Sequence, residues 1–522
     1  MKLPQSSTPK HGIWIPSNFG QRSSWKGKST GPKKGKPTPS DLQDRARELT
    51  SIFPPEIMSQ IFYFVCELAP PEPKNSRHLA PLILSHVCST WRIITHSTPS
   101  LWAYFHFSLV SGHVNELTRT KRTEMLKFYL EMAKDVPFTL KISLNGLTPF
   151  MMKPVLESIG SMLIGQGGRG KIRSLELWDV VLDEWIHLFY DLEDVEDLVI
   201  SSHLAVSDFL SLKQFRHLRR LKFVGSWGYP GVITLASSQI TTLTLDFISI
   251  GLGLVLLSQC PNLTTFCCLF PRPSPDIDIP PIRSPIVLQH LSHLTWTYIP
   301  SHGYRIVFPH LRLSVLQSLT WIRNSRPRLD VSAEEHHVFG LLAENIPSCL
   351  HTLELTSGGK WDPLLLTALF TRCSLIRHLR LSSCRHILIF EVLSLLLQSP
   401  RSEPLPSQAE TLLPSLEDLV VVEPRRIADD GLGWREGAFI KGIERLFRAQ
   451  SSGMKRAFET HFTRERARWT QEMYDVFKSL QMHEYPFYVW VDLQMRSPLK
   501  AVDTIKVSSG EKSIDKRPPW RP

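Results

Sequence analysis

A short apolar motif recurs ten times between residues 172 and 421 of this 522-residue chain. Each copy has one apolar residue, two residues of any kind, and two apolar residues that flank one more position, as in Ile172-Arg-Ser-Leu175-Glu-Leu177. The central apolar residues of the copies are Leu175, Leu198, Leu221, Leu243, Phe266, Leu294, Leu319, Leu353, Leu379 and Leu419. The first gaps between them are 23, 23, 22 and 23 residues, and the later gaps lie between 25 and 40 residues. Apolar residues two apart predict a short half-buried strand, and the near-constant period predicts units that stack on their neighbours.

This repeat resembles that of leucine-rich-repeat proteins, whose units of roughly 20–29 residues each contain one short strand. The resemblance implies an α/β fold with a curved solenoid over residues 111–435, in which each strand turns its paired apolar side chains inward. Apolar residues between the motifs are expected to form helical returns on the convex side, as at Leu204, Phe209, Leu210 and Leu212. The asparagine that usually follows the strand is mostly missing, so the repeats are degenerate. The alternative is a mixed α/β domain whose strands are unrelated.

The segment from Phe53 to Trp102 precedes the repeats and has helical periodicity. Pro54 and Pro55 stand where a helix would begin, because proline suits the first helical turn. Four apolar residues then follow at helical spacing and predict one apolar face: Ile57, Ile61, Phe64 and Leu68. A second apolar stripe begins at Leu79, and Pro99 limits a third helix. Three short helices bury too little apolar surface to be stable alone, so this surface should continue onto a partner or onto the next domain.

The same segment resembles the F-box, a short three-helix module, and residues 46–110 are assigned to it. The family's motifs stand here as Phe53-Pro54-Pro55-Glu56-Ile57, Ile61-Phe62, Leu84-Ser85-His86-Val87-Cys88-Ser89-Thr90-Trp91-Arg92 and Leu101-Trp102. The form with Pro-Pro-Glu-Ile and Ser-Thr-Pro-x-Leu-Trp is similar to one common in mushroom-type fungi. The departures are Phe53 in place of the usual leucine and a lengthened first loop. A generic helical hairpin of a larger domain is the alternative.

The F-box resemblance implies a non-catalytic substrate-receptor subunit of an SCF-type cullin–RING ubiquitin ligase, which docks on a Skp-type adaptor. By resemblance, the adaptor-binding residues are Pro54, Ile57, Ile61, Leu84, Val87 and Trp91. A client protein would bind strand residues between the inward-facing apolar residues, namely Glu176, Trp178, Lys222, Thr244, Glu354 and Arg380. Two other functions stay open. One is an interaction scaffold without a ligase role, whose hairpin packs only on its own repeats, and the other is a nucleic-acid-associated protein that uses basic tails.

The sequence predicts no enzyme, cofactor or metal site. The glycines from Gly165 to Gly170 fit the dinucleotide-binding pattern by letter, but a helix is predicted before them and a strand after them, the reverse of the required order. The acidic and histidine residues from Glu334 to His337 suggest a metal site only superficially, because adjacent histidines point apart on a helix. The eight cysteines include no CxxC pair and mostly lie in apolar runs. This indicates buried thiols in a reducing compartment.

The net charge of +11 is confined to the two ends of the chain. Residues 1–50 carry ten Lys/Arg against three Asp/Glu, and residues 496–522 carry seven against three. The neutral body argues against a folded nucleic-acid groove. We expect disordered basic tails at residues 1–45 and 496–522. Without an apolar leader or a long apolar run, we expect no membrane partner and a cytoplasmic or nuclear location.

Residues 436–495 are predicted to form a helical cap on the open end of the repeats. The apolar residues between 436 and 482 recur at helical spacing on both sides of Gly453, with Phe458 and Phe462 on the second stripe. Residues 486–493 alternate between apolar and other residues, which indicates one strand at the end of this region.

Overall fold

The chain has a mixed α/β fold around a large parallel sheet. The computed structural model describes residues 44–45, 48, 52–68, 79–109, 116–165, 171–179, 189, 192–201, 209–225, 232–235, 239–271, 285–298, 307–323, 333–357, 363–384, 386–397, 413–422, 457–463 and 487–492. The predicted basic tails lie outside these residues, apart from Asp44 and Arg45. No described helix combines the length and apolar character needed to cross a membrane.

Short helices that pack on one another precede the sheet. They are α1 (Pro55–Leu68), α2 (Ala80–Ser85), α3 (Ser89–Ser97) and a 3-10 helix (Pro99–Trp102). The carbonyl of Pro54 accepts hydrogen bonds from the backbone N–H groups of Ile57 and Met58, which starts α1 at its prolines. The Cys88 thiol caps α3 by accepting a hydrogen bond from the backbone N–H of Trp91 over 3.5 Å. The first of these sets of bonds accounts for the helix start that Pro54 and Pro55 predicted, and the second accounts for the start of α3.

The main sheet contains fourteen strands among the described residues, and all neighbours in it are parallel. Its strands in spatial order are β1 (Tyr104–Ser108), β2 (Phe138–Ser143), β3 (Ile172–Trp178), β4 (Asp197–Ser201), β6 (Arg220–Val224), β8 (Thr242–Asp246), β9 (Thr265–Leu269), β11 (His293–Tyr298), β13 (Ser318–Arg323), β14 (Thr352–Ser357), β15 (His378–Ser382), β16 (Asp418–Val422), β17 (Ala457–Thr463) and β18 (Phe487–Asp492). Spatial order therefore follows chain order throughout this sheet.

Longer connections between these strands contain helices. They are α4 (Glu116–Ala133), α5 (Pro149–Gly165), α6 (Ile250–Gln259), α7 (Ala333–Asn345), α8 (Pro363–Arg372) and α9 (His386–Leu397). Right after β8, the Ser249 hydroxyl caps α6 by accepting a hydrogen bond from the backbone N–H of Leu252. A Cβ atom added to Gly253 of α6 would lie 3.3 Å from Cδ1 of Leu245 in β8. Helix α6 therefore packs closely on the strand that precedes it.

All ten sequence motifs form strands of this sheet, as their alternation predicted. Their central apolar residues are aligned by the strand pairing: Leu175 is opposite Leu198, Leu198 opposite Leu221, and the series continues to Leu379 opposite Leu419. The ten central residues are all buried. Extended backbone alternates its side chains between two faces, so the residues between the apolar pairs lie on the opposite, outward face.

The predicted helical cap is wrong at residues 457–463, which form β17. This strand pairs with β16, and Leu419 lies opposite Phe458. Phe458 and Phe462 fit a helical spacing of four, but they fit an alternation of period two equally well. Strand pairing favours the strand, because β17 forms hydrogen bonds with the backbone N–H and C=O groups that β16 would otherwise leave unpaired at the edge of the sheet. The alternating segment at 486–493 does form a strand, β18, and the rest of the predicted cap lies outside the described residues.

The predicted helical return at residues 209–212 is also wrong. These residues form β5 (Phe209–Leu212), which pairs in parallel with β7 (Val232–Leu235). A second small pair joins β10 (Ile286–Val287) to β12 (Leu311–Arg312). Leu210 and Leu212 are buried while Ser211 between them is half-buried, and that is the period of a strand. Helices do connect other strands of the sheet, as α6 to α9 do, and Leu204 lies outside the described residues.

One hydrophobic core runs from the helices into the sheet. At the junction, the ring of Trp102 meets the rings of Tyr129 and Phe128 edge-on, with centroids 5.0 and 5.2 Å apart. Tyr129 also meets Phe105 of β1 at 5.0 Å. The indole N–H of Trp102 donates a hydrogen bond to the carbonyl of Thr95 over 2.8 Å, and burial raises the pKa of Tyr129. The helices are therefore packed against the first strand of the sheet.

The residue that follows a strand takes a left-handed conformation in several turns. It is Asp179 after β3, Gly225 after β6, Phe247 after β8, Phe270 after β9 and Ser383 after β15. Four of these residues donate their backbone N–H to the last residue of the next strand, over 2.8 to 2.9 Å. The bond carries the parallel pairing one residue past each of these strands.

Candidate functional site

Helix α1 buries one apolar face and exposes another. Met58, Phe62 and Cys66 recur every four residues and are buried in the core. Ile57 and Ile61 are 41% and 40% exposed, and Phe64, three residues further on, is more exposed. We call Ile57, Ile61 and Phe64 the α1 outer face. An exposed apolar stripe of this kind is typical of a surface that binds another protein.

Exposed apolar side chains are concentrated in the helices before the sheet. Nine of the sixteen large apolar residues that are exposed among the described ones lie between residues 52 and 93. Besides the α1 outer face, they are Ile52, Phe53, Tyr63, Val65, Ile83 and Ile93. Ile93 was not predicted as a site residue, because the spacing of α3 alone could not show which of its apolar residues faces solvent.

The residues predicted to bind an adaptor have different positions. Pro54, Ile57 and Ile61 are exposed. Leu84 is buried between the helices, so its contribution is to hold them together. Val87 and Trp91 are half-buried, and the ring of Trp91 packs on Phe62 with centroids 4.8 Å apart. The exposed surface available to a partner is therefore built on α1.

The residues predicted to bind a client all lie on the outward face of the sheet. Glu176, Trp178, Lys222, Thr244 and Glu354 are half-buried, and Arg380 is exposed. The structure does not bring all six together. Seven strand spacings separate β3 from β14, which is about 34 Å at about 4.8 Å a spacing. They form separate groups rather than one site.

The first group is the Trp178 cluster, made of Lys141, Glu176 and Trp178. The indole N–H of Trp178 donates a hydrogen bond to Glu176 Oε2 over 3.0 Å. Lys141 Nζ lies 3.4 Å from Glu176 Oε2 and 4.4 Å from the centroid of the Trp178 ring. These contacts fix the orientation of a partly exposed tryptophan at the end of β3, as an anchor for a partner requires.

The second group joins β14 and β15. Arg380 Nε lies 3.4 Å from Glu354 Oε1, and the Ser382 hydroxyl donates a hydrogen bond to the same oxygen over 2.8 Å. Beyond it, His378 Nδ1 lies 2.7 Å from Asp418 Oδ2. Partly exposed pairs of this kind contribute little to stability. Their effect is to set a pattern of charges on the outward face.

The middle of the outward face holds Lys222, Thr244, Asp246, Cys267 and Thr295. Burial raises the pKa of Asp246, and the nearby Lys222 opposes this. Burial also raises the pKa of the Cys267 thiol to about 11. Because the thiolate is the reactive form, the raised pKa lowers the reactivity of Cys267 at neutral pH.

The motifs that suggested cofactors or metals do not assemble a site in the described part of the chain. Helix α5 ends at Gly165 and β3 begins at Ile172, so the glycine-rich segment follows a helix and precedes a strand. Residues 334–337 lie in α7, where His337 is exposed. No group of three or more His, Cys, Asp or Glu residues with metal-binding geometry occurs among the described residues.

His106 of β1 lies on the outward face and makes the stability of the protein depend on pH. It lies beside Lys141 in the sheet. Its pKa is lowered to about 4, first by burial and then by Lys141, whereas Glu176 raises it and Arg122 lowers it. The imidazole is therefore neutral in the folded protein at neutral pH.

We expect the stability due to His106 to be fully present above about pH 6.5, the usual pKa in an unfolded chain, and to be lost as the pH falls towards 4. Below pH 6.5 the unfolded chain binds a proton that the folded chain does not. The loss is at most about 3 kcal/mol. Denaturant unfolding of wild type and His106→Gln at pH 7, 5.5 and 4.5 measures it, and the variant should lose less stability on acidification. Parallel profiles for the two proteins would contradict the assignment.

Comparison with known proteins does not add to this geometry: no family model and no curated protein matches the sequence.

Proposed function

We propose that this protein is the substrate-receptor subunit of an SCF-type ubiquitin ligase. Its α1 outer face docks on a Skp-type adaptor, and the outward face of its sheet holds a client protein. The observation that carries the proposal is the division of α1. The residues of the F-box-like motif include Ile57 and Ile61, which are exposed, and Phe62, which is buried against Trp91. A motif with one exposed and one buried apolar face has what a docking helix needs.

We propose further that the sheet belongs to a curved leucine-rich-repeat solenoid. Two observations support this: strand order follows chain order, and the central apolar residues are aligned from strand to strand. Such a sheet offers a client a long outward surface. The receptor then acts by holding the client near the ligase. This raises the effective concentration of the client there and makes the transfer step nearly intramolecular.

An interaction scaffold with no ligase role is the second candidate. The junction of Trp102 with Tyr129 favours it, because the helices do pack on the sheet that follows them. That packing uses Trp102, and it leaves the α1 outer face exposed. The receptor function uses this remaining surface, so we favour it.

Co-purification of the full chain with a Skp-type adaptor tests the proposal. We expect a stoichiometric complex with the wild type and at least about a hundredfold weaker binding for Ile57→Glu/Ile61→Glu, because docking would bury two unpaired carboxylates. Because both isoleucines are exposed, the free energy of unfolding of the double variant should lie within about 1 kcal/mol of the wild-type value.

The matched control is Leu117→Glu/Phe150→Glu, which places the same side chain at two exposed apolar positions outside α1. It should bind the adaptor like the wild type. A well-folded wild type that forms no complex would replace the receptor proposal with the scaffold. Equal binding by all three proteins would show that the α1 outer face is not the docking surface.

A further inference from the structure

Two phenylalanine rings stack at the ends of neighbouring strands. Phe247 follows β8 and Phe270 follows β9, and their ring centroids are 5.1 Å apart with 16° between the planes. Phe247 is 41% exposed and Phe270 is half-buried. The pair therefore presents aromatic surface to solvent at the edge of the outward face.

The backbone does not account for these two side chains. Phe247 and Phe270 have φ of 59° and 45°, a region that bulky residues rarely adopt. Equivalent turns use Asp179, Gly225 and Ser383, whose small or short polar side chains suit the conformation better. The backbone bond from Phe247 N to Leu269 O, 2.9 Å long, needs no aromatic ring. Residues with strained backbone of this kind cluster at functional sites.

A carboxylate-bearing residue immediately precedes the first phenylalanine of the stacked pair. Asp246 is the last residue of β8, next to Phe247 in the chain and opposite Leu269, the residue before Phe270. Leu243 and Leu245 are buried, so the alternation places Asp246 on the outward side. Its Oδ1 atom is buried and has no hydrogen-bond partner among the described residues. Burial raises the pKa of Asp246 even though Lys222 is near, so the local surroundings solvate this carboxylate poorly.

We propose that Phe247, Phe270 and Asp246 form a binding site for an arginine side chain of the client protein. A guanidinium is planar and weakly hydrated, so it can lie against an aromatic face and donate hydrogen bonds to the carboxylate at the same time. Charge complementarity selects a cation, and the carboxylate of Asp246 selects one that donates hydrogen bonds. That the arginine belongs to a client protein rests on the proposed receptor function, whereas the recognition of arginine does not.

The test uses the peptide acetyl-Gly-Gly-Arg-Gly-Gly-amide with the full-length protein. Saturation-transfer NMR detects weak binding to a large protein through the ligand's own protons. We expect transfer to the side-chain methylene protons of arginine. The matched peptide replaces arginine with citrulline, which has nearly the same shape and no charge, and we expect at least a fivefold weaker signal.

Two variants assign the binding to this site. Phe247→Asn/Phe270→Asn removes both rings and keeps residues that tolerate the left-handed conformation, so the fold should persist. Asp246→Asn removes the charge at nearly constant shape. Each should reduce the arginine signal at least fivefold. Ser383→Asn makes the same kind of change in the equivalent turn after β15 and should leave the signal unchanged.

Equal signals for arginine and citrulline peptides would overturn the inference, and so would an arginine signal that survives the loss of both rings. The receptor proposal is judged separately on the same preparations. Phe247→Asn/Phe270→Asn should still bind the adaptor, because the α1 outer face is unchanged. Arginine binding without adaptor binding would keep this site and reject the receptor function.

Discussion

Trp102→Ala is expected to lower the free energy of unfolding by about 3–5 kcal/mol, the usual range for removing a fully buried tryptophan. Trp102 has no exposed surface, and it joins the helices to α4 and β1 through Phe128 and Tyr129. Its loss leaves a cavity at that junction and leaves the carbonyl of Thr95 without the indole donor. We expect the helices before the sheet to unfold in a separate transition, at lower denaturant concentration than the sheet.

Guanidinium unfolding followed by far-UV circular dichroism measures this effect. Trp178→Ala is the matched control, since Trp178 is half-buried and its ring contacts Lys141 at the surface. Trp178→Ala should lower the free energy of unfolding by about 1 kcal/mol and keep one main unfolding transition. If Trp102→Ala unfolded like the control, the common core of helices and sheet would be disproved. Trp91→Ala should fall between the two variants, because Trp91 is half-buried on Phe62.

Leu319→Asp is expected to prevent folding of the central sheet, with a loss above about 4 kcal/mol. Leu319 has no exposed surface and lies between Leu294 and Leu353 on the inward side. An aspartate there would place an unpaired carboxylate in the core. The variant should appear in the insoluble fraction or show a lost cooperative transition.

Thr320→Asp adds the same side chain one residue later on the same strand. Thr320 lies on the outward face and is half-buried, so we expect a change within about 1 kcal/mol and normal solubility. The contrast between these neighbours tests the register of β13 directly. Equal loss of stability in both variants would contradict the assignment of Leu319 to the inward face and of Thr320 to the outward face.

The strands were predictable because their signal is local. In each motif the two paired apolar residues share one face, and the same period predicts both the strand and its buried side. The error at Phe458 and Phe462 arose where two periods fit the same residues, and only pairing with β16, which is remote in the chain, separated them. The segment at Leu210 and Leu212 was likewise decided by its pairing with β7.

The candidate sites were less predictable than the strands. Helix α1 is apolar on two sides, so spacing alone could not tell the buried Met58–Phe62–Cys66 row from the exposed row at Ile57 and Ile61. The outward position of Glu176 and Arg380 followed from alternation, but their ion-pair partners did not. The Phe247–Phe270 pair had no sequence signal, because it depends on two turns that the sheet places side by side.

The match between chain order and strand order has a mechanical consequence. Among the described residues, each strand of the main sheet is hydrogen-bonded only to the strands before and after it in that order. Tension applied to the two ends of the chain would therefore load one strand boundary at a time, and the terminal units would peel away first. A molecular motor that pulled on one end would meet a series of small barriers in place of a single large one.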